Sequence, residues 1–593
     1  MRGSWRPQLF MIAVSALLLL TNLGETSLWD IDEPRNAGCA ADMLAHGEWI
    51  VPTFNGELRS HKPVLLYWLM MSAYAVFGVN EFAARFWSAV LSIGTVLATY
   101  HLGCRLFNRS IGLWAGVVLA TSLNFVVIGR AATPDAAFLF FTTLALALFA
   151  TATLPTGEDV TPESARRQPS WRRLTLVYMM MALAVLTKGP VGVVLPTSVM
   201  VLWTFWNPRR LEKLSSETIG IDATRWRRIG QLFSPTQMLS AAWSLKPLTA
   251  LAVLCTVALP WYVAVGVRTE GRWLAEFLGQ HNLGRFLTPM ENHRGPIFYY
   301  VLALAMGFLP WSLMIGLTLW QQIQRLRQRH QWNESYRYLA CWVGVFFVFF
   351  SIATTKLPHY MIPIYPALAL LTAATVHSII TGEAPALARW LPVSAGLLML
   401  VGVGFLVGLP LAARRYFPGD EVIGLVGLAP LVGGAICLVL LRRERVAAAM
   451  QCFAAFAVIL LAVMFGFLQQ RIDRHQHSID IVETIRRAGG DDATVAAFRY
   501  LRPSWVFYYG RPIVHFTERG QVQSLFADSP NAFLILQDHD LAGIESSLPP
   551  DVVTLGSVPK FLKRGRLVIL GRAAAGARLA IAEKSQDERP QRH

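Results

Sequence analysis

The chain has 593 residues, of which 54% are hydrophobic and only 15% charged. A soluble domain carries about 25% charged residues, so the composition excludes a water-soluble multidomain protein, and its hydrophobicity excludes a disordered chain. Lys and Arg outnumber Asp and Glu by 53 to 37, a net charge of +16, but no nucleic-acid-binding motif accompanies that excess.

A mean hydropathy of +0.43 points instead to a polytopic membrane protein, whose basic residues gather in cytoplasmic loops. The six cysteines include no CxxC pair, which argues against a disulfide framework, a metal knuckle or a redox site. A span needs about 20 apolar residues. The first run, 8–25, follows Arg2 and Arg6 without a small-residue cleavage site, so it is read as a span and not a removed signal. Further spans are predicted at 83–103, 111–129, 135–153, 174–187, 190–206, 247–267, 297–320, 337–353, 359–380, 389–410, 421–441 and 446–468, thirteen in all.

The run 64–78 is short and carries Tyr67, Trp68 and Tyr74. If it lies in the interface and the N-terminus is cytoplasmic, the basic loops all fall inside. These hold Arg105/Arg109, Arg166/Arg167/Arg172/Arg173, Arg209/Arg210/Arg225/Arg227/Arg228, Arg325/Arg327/Arg329 and Arg442/Arg443/Arg445. An odd number of spans then places the C-terminus outside. Residues 469–593 are less apolar. A helical run at 479–487 and β-rich runs at 493–498, 505–509, 513–516, 532–537 and 566–570 predict a small α/β domain there. The expected fold is an α-helical polytopic membrane protein with about 13 transmembrane helices and interfacial helices in the first outer loop, 26–82. The transmembrane domain covers 1–468, and a C-terminal α/β periplasmic domain covers 469–593.

The outer loops hold the polar clusters. The first begins Trp29-Asp30-Ile31-Asp32-Glu33-Pro34-Arg35, where Pro34 is suited to open a helix reaching His46 and Gly47. It ends Ser60-His61-Lys62-Pro63. Then come Arg130-Ala131-Ala132-Thr133-Pro134-Asp135, Thr187-Lys188-Gly189-Pro190, His281-Asn282-Leu283-Gly284-Arg285-Phe286 with His293-Arg294, and Thr354-Thr355-Lys356-Leu357-Pro358-His359-Tyr360. Taken singly, each has a plain structural explanation: a helix cap, an ion pair or a snorkelling lysine.

Together the clusters bring acids, cations and histidines to one face. Cations at a membrane surface can hold a lipid phosphate, and a carboxylate beside it can act as general base or orient an acceptor. Transfer of a sugar from a lipid-phosphate donor fits this set and needs no nucleotide; the chain has neither a GxGxxG nor a Walker loop. A secondary transporter or flippase for a polyprenyl lipid is the competing class. It would carry its polar residues near the bilayer midplane, whereas these sit at span ends.

Asp32-Glu33-Pro34-Arg35, Met43-Leu44-Ala45-His46-Gly47-Glu48-Trp49-Ile50-Val51-Pro52, Lys62-Pro63, Tyr67-Trp68 and the later clusters, in that order, resemble the 4-amino-4-deoxy-L-arabinose lipid A transferases. Those enzymes belong to the polytopic type C glycosyltransferases, with the protein O-mannosyltransferases. The resemblance covers roughly 8–380 and implies an undecaprenyl-phosphate sugar donor, an inverting single displacement at the outer face of the bacterial inner membrane, and lipid A or another envelope glycan as acceptor. A protein Ser/Thr acceptor is the alternative. It implies Asp32 as the leading catalytic carboxylate, then Asp135 and Glu33. Lys62 is implied to bind the donor phosphate, supported by Arg35, Arg130, Arg285, Lys356 and Tyr360. Where the family usually has Glu before Lys-Pro this chain has His61, and where it has Tyr after the first Arg this chain has Asn36. The family glutamate goes with a divalent metal, so His61 and His281 are implied as candidate zinc ligands.

Overall fold

In the computed structural model the described residues are 5–154, 170–206, 239, 242–287, 295–328 and 333–587. Arg166, Arg167, Arg209, Arg210, Arg225, Arg227, Arg228, Arg329, His293 and Arg294 lie outside them. Among the described residues, seven helices are long and apolar enough to cross a bilayer, and three bent helix pairs raise the number to ten. The predicted thirteen would add Arg6–Leu20, Trp171–Lys188 and Val191–Phe205. The first and last are short, and the middle one carries Arg172, Arg173 and Lys188.

The bent pairs refine three predicted spans. Arg109–Ala120 and Leu123–Gly129 meet at 67°, Pro247–Val257 and Leu259–Arg268 at 45°, and Tyr299–Gly307 and Trp311–Arg327 at 114°. The last break contains Pro310, which cannot donate a helical hydrogen bond. Hydropathy alone reads each pair as one straight run, because a break changes direction without changing apolarity.

In lipid, helices associate through close packing more than through hydrophobic burial. Glu81–Leu106 and Arg109–Ala120 meet where a side-chain carbon on Gly103 would fall 2.6 Å from the Gly112 Cα, so neither position tolerates one. Tyr365–Ile380 is buried along almost its whole length, and its Ala- and Thr-rich surface lets neighbours approach from every side.

Between the first two membrane helices, the loop folds into Asp32–Ala45, a small antiparallel hairpin of β1 (Thr53–Phe54) and β2 (Glu57–Leu58), and Leu65–Phe77. The helix predicted to open at Pro34 starts two residues earlier, so Asp32 and Glu33 occupy its first turn. The run 64–78 forms a 13-residue helix, Leu65–Phe77, shorter than a bilayer crossing needs.

The C-terminal residues form a five-stranded mixed sheet of β3 (Thr494–Phe498), β4 (Val514–Phe516), β5 (Ala532–Gln537), β6 (Val552–Pro559) and β7 (Arg566–Arg572). The strand order is β4-β3-β5-β7-β6, with β3 parallel to β4 and β5, and β7 antiparallel to β5 and β6. Apolar clusters cover both faces, which explains why β5 reads Ala-Phe-Leu-Ile-Leu without alternation. One predicted strand, 505–509, is instead the helix Pro503–Tyr509. Its aromatics suit a strand, but Pro503 in the first turn presets helical φ and Gly510 closes the helix at φ 76°. The strand β6, which the sequence pattern did not reveal, is half exposed and lies at the sheet edge.

Candidate active site

The first-loop helix presents its opening residues in opposite ways. Glu33 points inward and is 5% exposed. Its carboxylate accepts from Arg85 Nε at 2.9 Å and Nη2 at 2.7 Å, from the Trp29 N–H at 2.8 Å and from the Ala132 N–H at 2.7 Å. Arg85, 2% exposed, also donates to the carbonyls of Leu23, Thr26 and Ser27. A buried ion pair holds only when its remaining donors and acceptors are matched, and here they are. This network leaves Glu33 no lone pair facing solvent. Glu33→Gln replaces two of its acceptor sites with donors, so it is expected to cost about 2 kcal/mol of stability. A lowered thermal midpoint in detergent checks this.

Asp32 lies on the other side of the same turn and is exposed. Among the described residues, its carboxylate has no ion pair or hydrogen bond shown, while its charge acts on Lys62, Arg59 and His359. Next on the helix, buried Asn36 donates to the Ala132 carbonyl at 3.0 Å and accepts from Arg59 Nη2 at 2.9 Å. Arg59 in turn donates to Tyr67 Oη at 3.1 Å. The helix N-terminus is thereby tied both to the turn that starts the Asp135 helix and to the loop that delivers Lys62.

Behind that loop lies a cavity of about 380 Å³. Lys62, Lys188 and Arg285 line its polar part with His61, His281 and Tyr360, while Leu278, Phe286 and Phe350 belong to its extensive apolar wall. Lys188 closes the helix Trp171–Lys188 and pairs with Asp135, the buried first residue of its own helix. Lys188 Nζ also lies 5.3 Å from the centre of the Tyr360 ring, a cation–π distance. The chain turns there because Gly189 adopts φ 80°, and a side-chain carbon at Gly189 would fall 2.5 Å from the Phe277 ring. His281 sits in a π-helical turn, Glu276–Gly284, followed at once by Arg285. The Nε of Arg285 is buried with no partner among the described residues.

Burial, with the neighbouring Lys188 and Arg285 cations, pushes the Lys62 ammonium down to about 8. Burial, with Arg59 and the other histidine, pushes His61 down to about 3. Burial, with Arg285 and Lys62, pushes His281 down to about 4. Both imidazoles are therefore neutral at pH 7, and the cations here are Lys62, Lys188 and Arg285.

The fold thus brings together Lys62, Arg285, Tyr360, His61 and His281 around one cavity, with Asp135 behind Lys188. It does not bring Arg130 or Lys356 to the cavity wall. Arg130 donates to the Leu18 and Thr21 carbonyls at 3.0 and 2.8 Å, capping the first helix. Lys356 donates to the Ser351 and Ala353 carbonyls at 2.7 and 3.0 Å, which caps the preceding span. Arg35 is half-buried, and its charge reaches His61. The His61 and His281 rings stack with centres 4.0 Å apart, and each keeps a buried Nδ1 without a partner. Two imidazoles are half a zinc donor set. Among the described residues, no group of three His, Cys, Asp or Glu stands together to complete it.

Arg59 and Arg85 are the site residues that the sequence pattern did not single out, while Lys188 stood in a noted cluster with a snorkelling lysine as its plain explanation. Arg85 had a signal: an arginine in the first turn of an apolar span needs a buried partner, and Glu33 is it.

The helical membrane scaffold that holds this cation-lined cavity has counterparts among solved structures and known sequences. A crystal structure of ArnT from Cupriavidus metallidurans bound to undecaprenyl phosphate superimposes with a TM-score of 0.70 at 20% identity, covering 96% of this chain and 98% of that one. Residues 9–275 match the family model described as dolichyl-phosphate-mannose-protein mannosyltransferase. The sequence is similar to undecaprenyl phosphate-alpha-4-amino-4-deoxy-L-arabinose arabinosyl transferases. The Erwinia tasmaniensis protein is 29% identical over 60% of this chain, which spans 57% of that relative, less than two thirds of its length. A Pseudomonas fluorescens protein of the same name, numbered 2, is 27% identical over 84% of each chain.

Proposed function

We propose that the chain is an integral-membrane glycosyltransferase that moves 4-amino-4-deoxy-L-arabinose, or a related sugar, from an undecaprenyl-phosphate donor to a lipid A phosphate. The transfer takes place at the outer face of the bacterial inner membrane. One observation carries this reading: three cations, Lys62, Lys188 and Arg285, line one cavity whose lining surface is otherwise largely apolar. That combination matches the chemistry of a phosphate joined to an isoprenoid chain. The names of the relatives and of the structure bound to undecaprenyl phosphate support the same donor.

The chemistry follows from charge. As the bond from the anomeric carbon to the phosphate oxygen breaks, negative charge grows on the leaving phosphate, and fixed cations stabilise it most at that moment. Asp32, exposed and near enough for its charge to act on Lys62, orients the acceptor oxygen on the opposite face of the sugar and takes its proton where it carries one. A single displacement inverts the anomeric centre. Basic inner loops orient the chain with its N-terminus in the cytoplasm and the site outside. A second reading, transfer of mannose to protein Ser/Thr, is favoured by the family model over residues 9–275.

The test is reconstitution of the full chain in liposomes with the aminoarabinose donor and lipid A. Mass spectrometry is expected to show lipid A gaining one aminopentose. Intact lipid A, with mannose from a polyprenyl-phosphate donor appearing on a Ser/Thr peptide, would establish the second reading instead.

A further inference from the structure

The segment before Asp32 is held by residues more than 440 positions away. Ser27 donates through its N–H to Asp473 at 3.1 Å and through its hydroxyl at 2.5 Å. The Leu28 N–H donates to Tyr508 Oη at 2.8 Å. The Asp30 carboxylate is 10% exposed and accepts from Arg502 Nε at 2.8 Å, from the Ser504 N–H at 3.0 Å and from the Ser504 hydroxyl at 2.8 Å. Every partner shown for Asp30 belongs to the C-terminal domain, at the start of the helix Pro503–Tyr509. A carboxylate this far from water needs such donors.

Glu33, three residues on, is saturated from the membrane side by Arg85 and Ala132. Trp29 bridges the two ends, its N–H donating to Glu33 at 2.8 Å. The carboxylates at 30 and 33 are thus clamped from opposite sides, and Asp32 between them is left exposed. A second, separate contact joins the same domain to the same loop: Asn55 donates to the Ile513 carbonyl at 3.0 Å and accepts its N–H at 2.7 Å. Attachment of the domain therefore does not depend on Asp30 alone.

We propose that the C-terminal α/β domain is a positioning element for Asp32, with Arg502 and Ser504 as positioning residues that act through Asp30. This rests on the role assigned to Asp32 above. A displacement of about 1 Å at a reacting group can cost on the order of a hundredfold in rate, so the clamp is built where placement matters most. It acts on turnover more than on donor binding, because Asp30, Arg502 and Ser504 are not among the residues that line the cation cavity.

The experiment measures kcat, donor KM and thermal midpoint for full-length variants in liposomes. Arg502→Ala is expected to lower kcat by about tenfold to a hundredfold with donor KM within about twofold, and Arg502→Lys, which keeps the charge, to recover most of the loss. Ser504→Ala is the milder variant should Arg502→Ala not fold; it removes one hydroxyl bond and is expected to lower kcat severalfold. Asn55→Ala, which loosens the same domain at Ile513, is expected to lower the thermal midpoint and leave kcat unchanged. Wild-type kcat in both Arg502→Ala and Ser504→Ala overturns the proposal, and so does an equal kcat loss in Asn55→Ala. Asp32→Asn in the same assay separates the two claims. If Asp32→Asn retains activity, the role of Asp32 falls and the positioning role with it. If Asp32→Asn is inactive while Arg502→Ala and Ser504→Ala are not, only the positioning role falls.

Discussion

Asp32→Asn is expected to lower the rate of sugar transfer by about a thousandfold, since a positioned general base contributes roughly 10²–10⁴. Asparagine keeps the shape and one acceptor oxygen but cannot take a proton or hold the acceptor by charge. The fold has little to lose, because Asp32 is exposed and has no hydrogen bond or ion pair shown among the described residues. Exposed substitutions of that kind shift stability by about 0.5 kcal/mol or less. Insertion and thermal midpoint are therefore expected to match wild type, which separates this variant from Glu33→Gln, whose cost falls on the fold. Initial rates at saturating donor and acceptor decide the matter. Retention of more than about a tenth of wild-type activity would move the base elsewhere, and Asp135 is the other carboxylate near the cations. Asp135 is a weaker candidate because it is buried and already paired with Lys188.

The sequence made the scaffold legible because apolar runs of span length have few alternatives in a chain with so little charge. It also showed the clusters at the loop ends, since Asp32, Lys62, Arg285 and Tyr360 lie in short polar patches beside apolar runs. The choice among neighbours was not legible. Asp32 and Glu33 are adjacent carboxylates with the same local signals, and only the fold shows that Glu33 is consumed by Arg85 while Asp32 is not. Arg130 and Lys356 look as available as Lys62, yet both spend their donors on the carbonyls of helix ends. Lys188 shows the opposite case. Beside a Gly-Pro break it reads as a snorkelling side chain, but the turn at Gly189 brings it into the cavity wall. The link from Asp30 to Arg502 spans 472 positions, and no local pattern encodes it.

Lys62→Ala is expected to weaken donor binding by about tenfold to a hundredfold. A hydrogen bond to a charged group contributes about 1.5–3 kcal/mol, and each 1.4 kcal/mol is about tenfold in Kd. Lys188 and Arg285 remain to hold the phosphate, so binding is reduced and not lost. The same lysine gives the site a pH dependence of defined sign. Burial, with the Lys188 and Arg285 cations, pushes Lys62 down to about 8, so it is an ammonium below that pH and a neutral amine above it. The charge of a phosphodiester donor does not change in this range. His61 and His281, pushed down to about 3 and 4, stay neutral across it. Donor affinity is therefore expected to be flat between about pH 6 and 7 and to fall as pH rises through about 8. Lys62→Arg removes that fall, because a guanidinium stays charged throughout. Equilibrium titration of the reconstituted chain with donor from pH 6 to 9 reads both effects. A fall of equal size in Lys62→Arg would assign the titration to another group, and unchanged affinity in Lys62→Ala would remove Lys62 from the phosphate site.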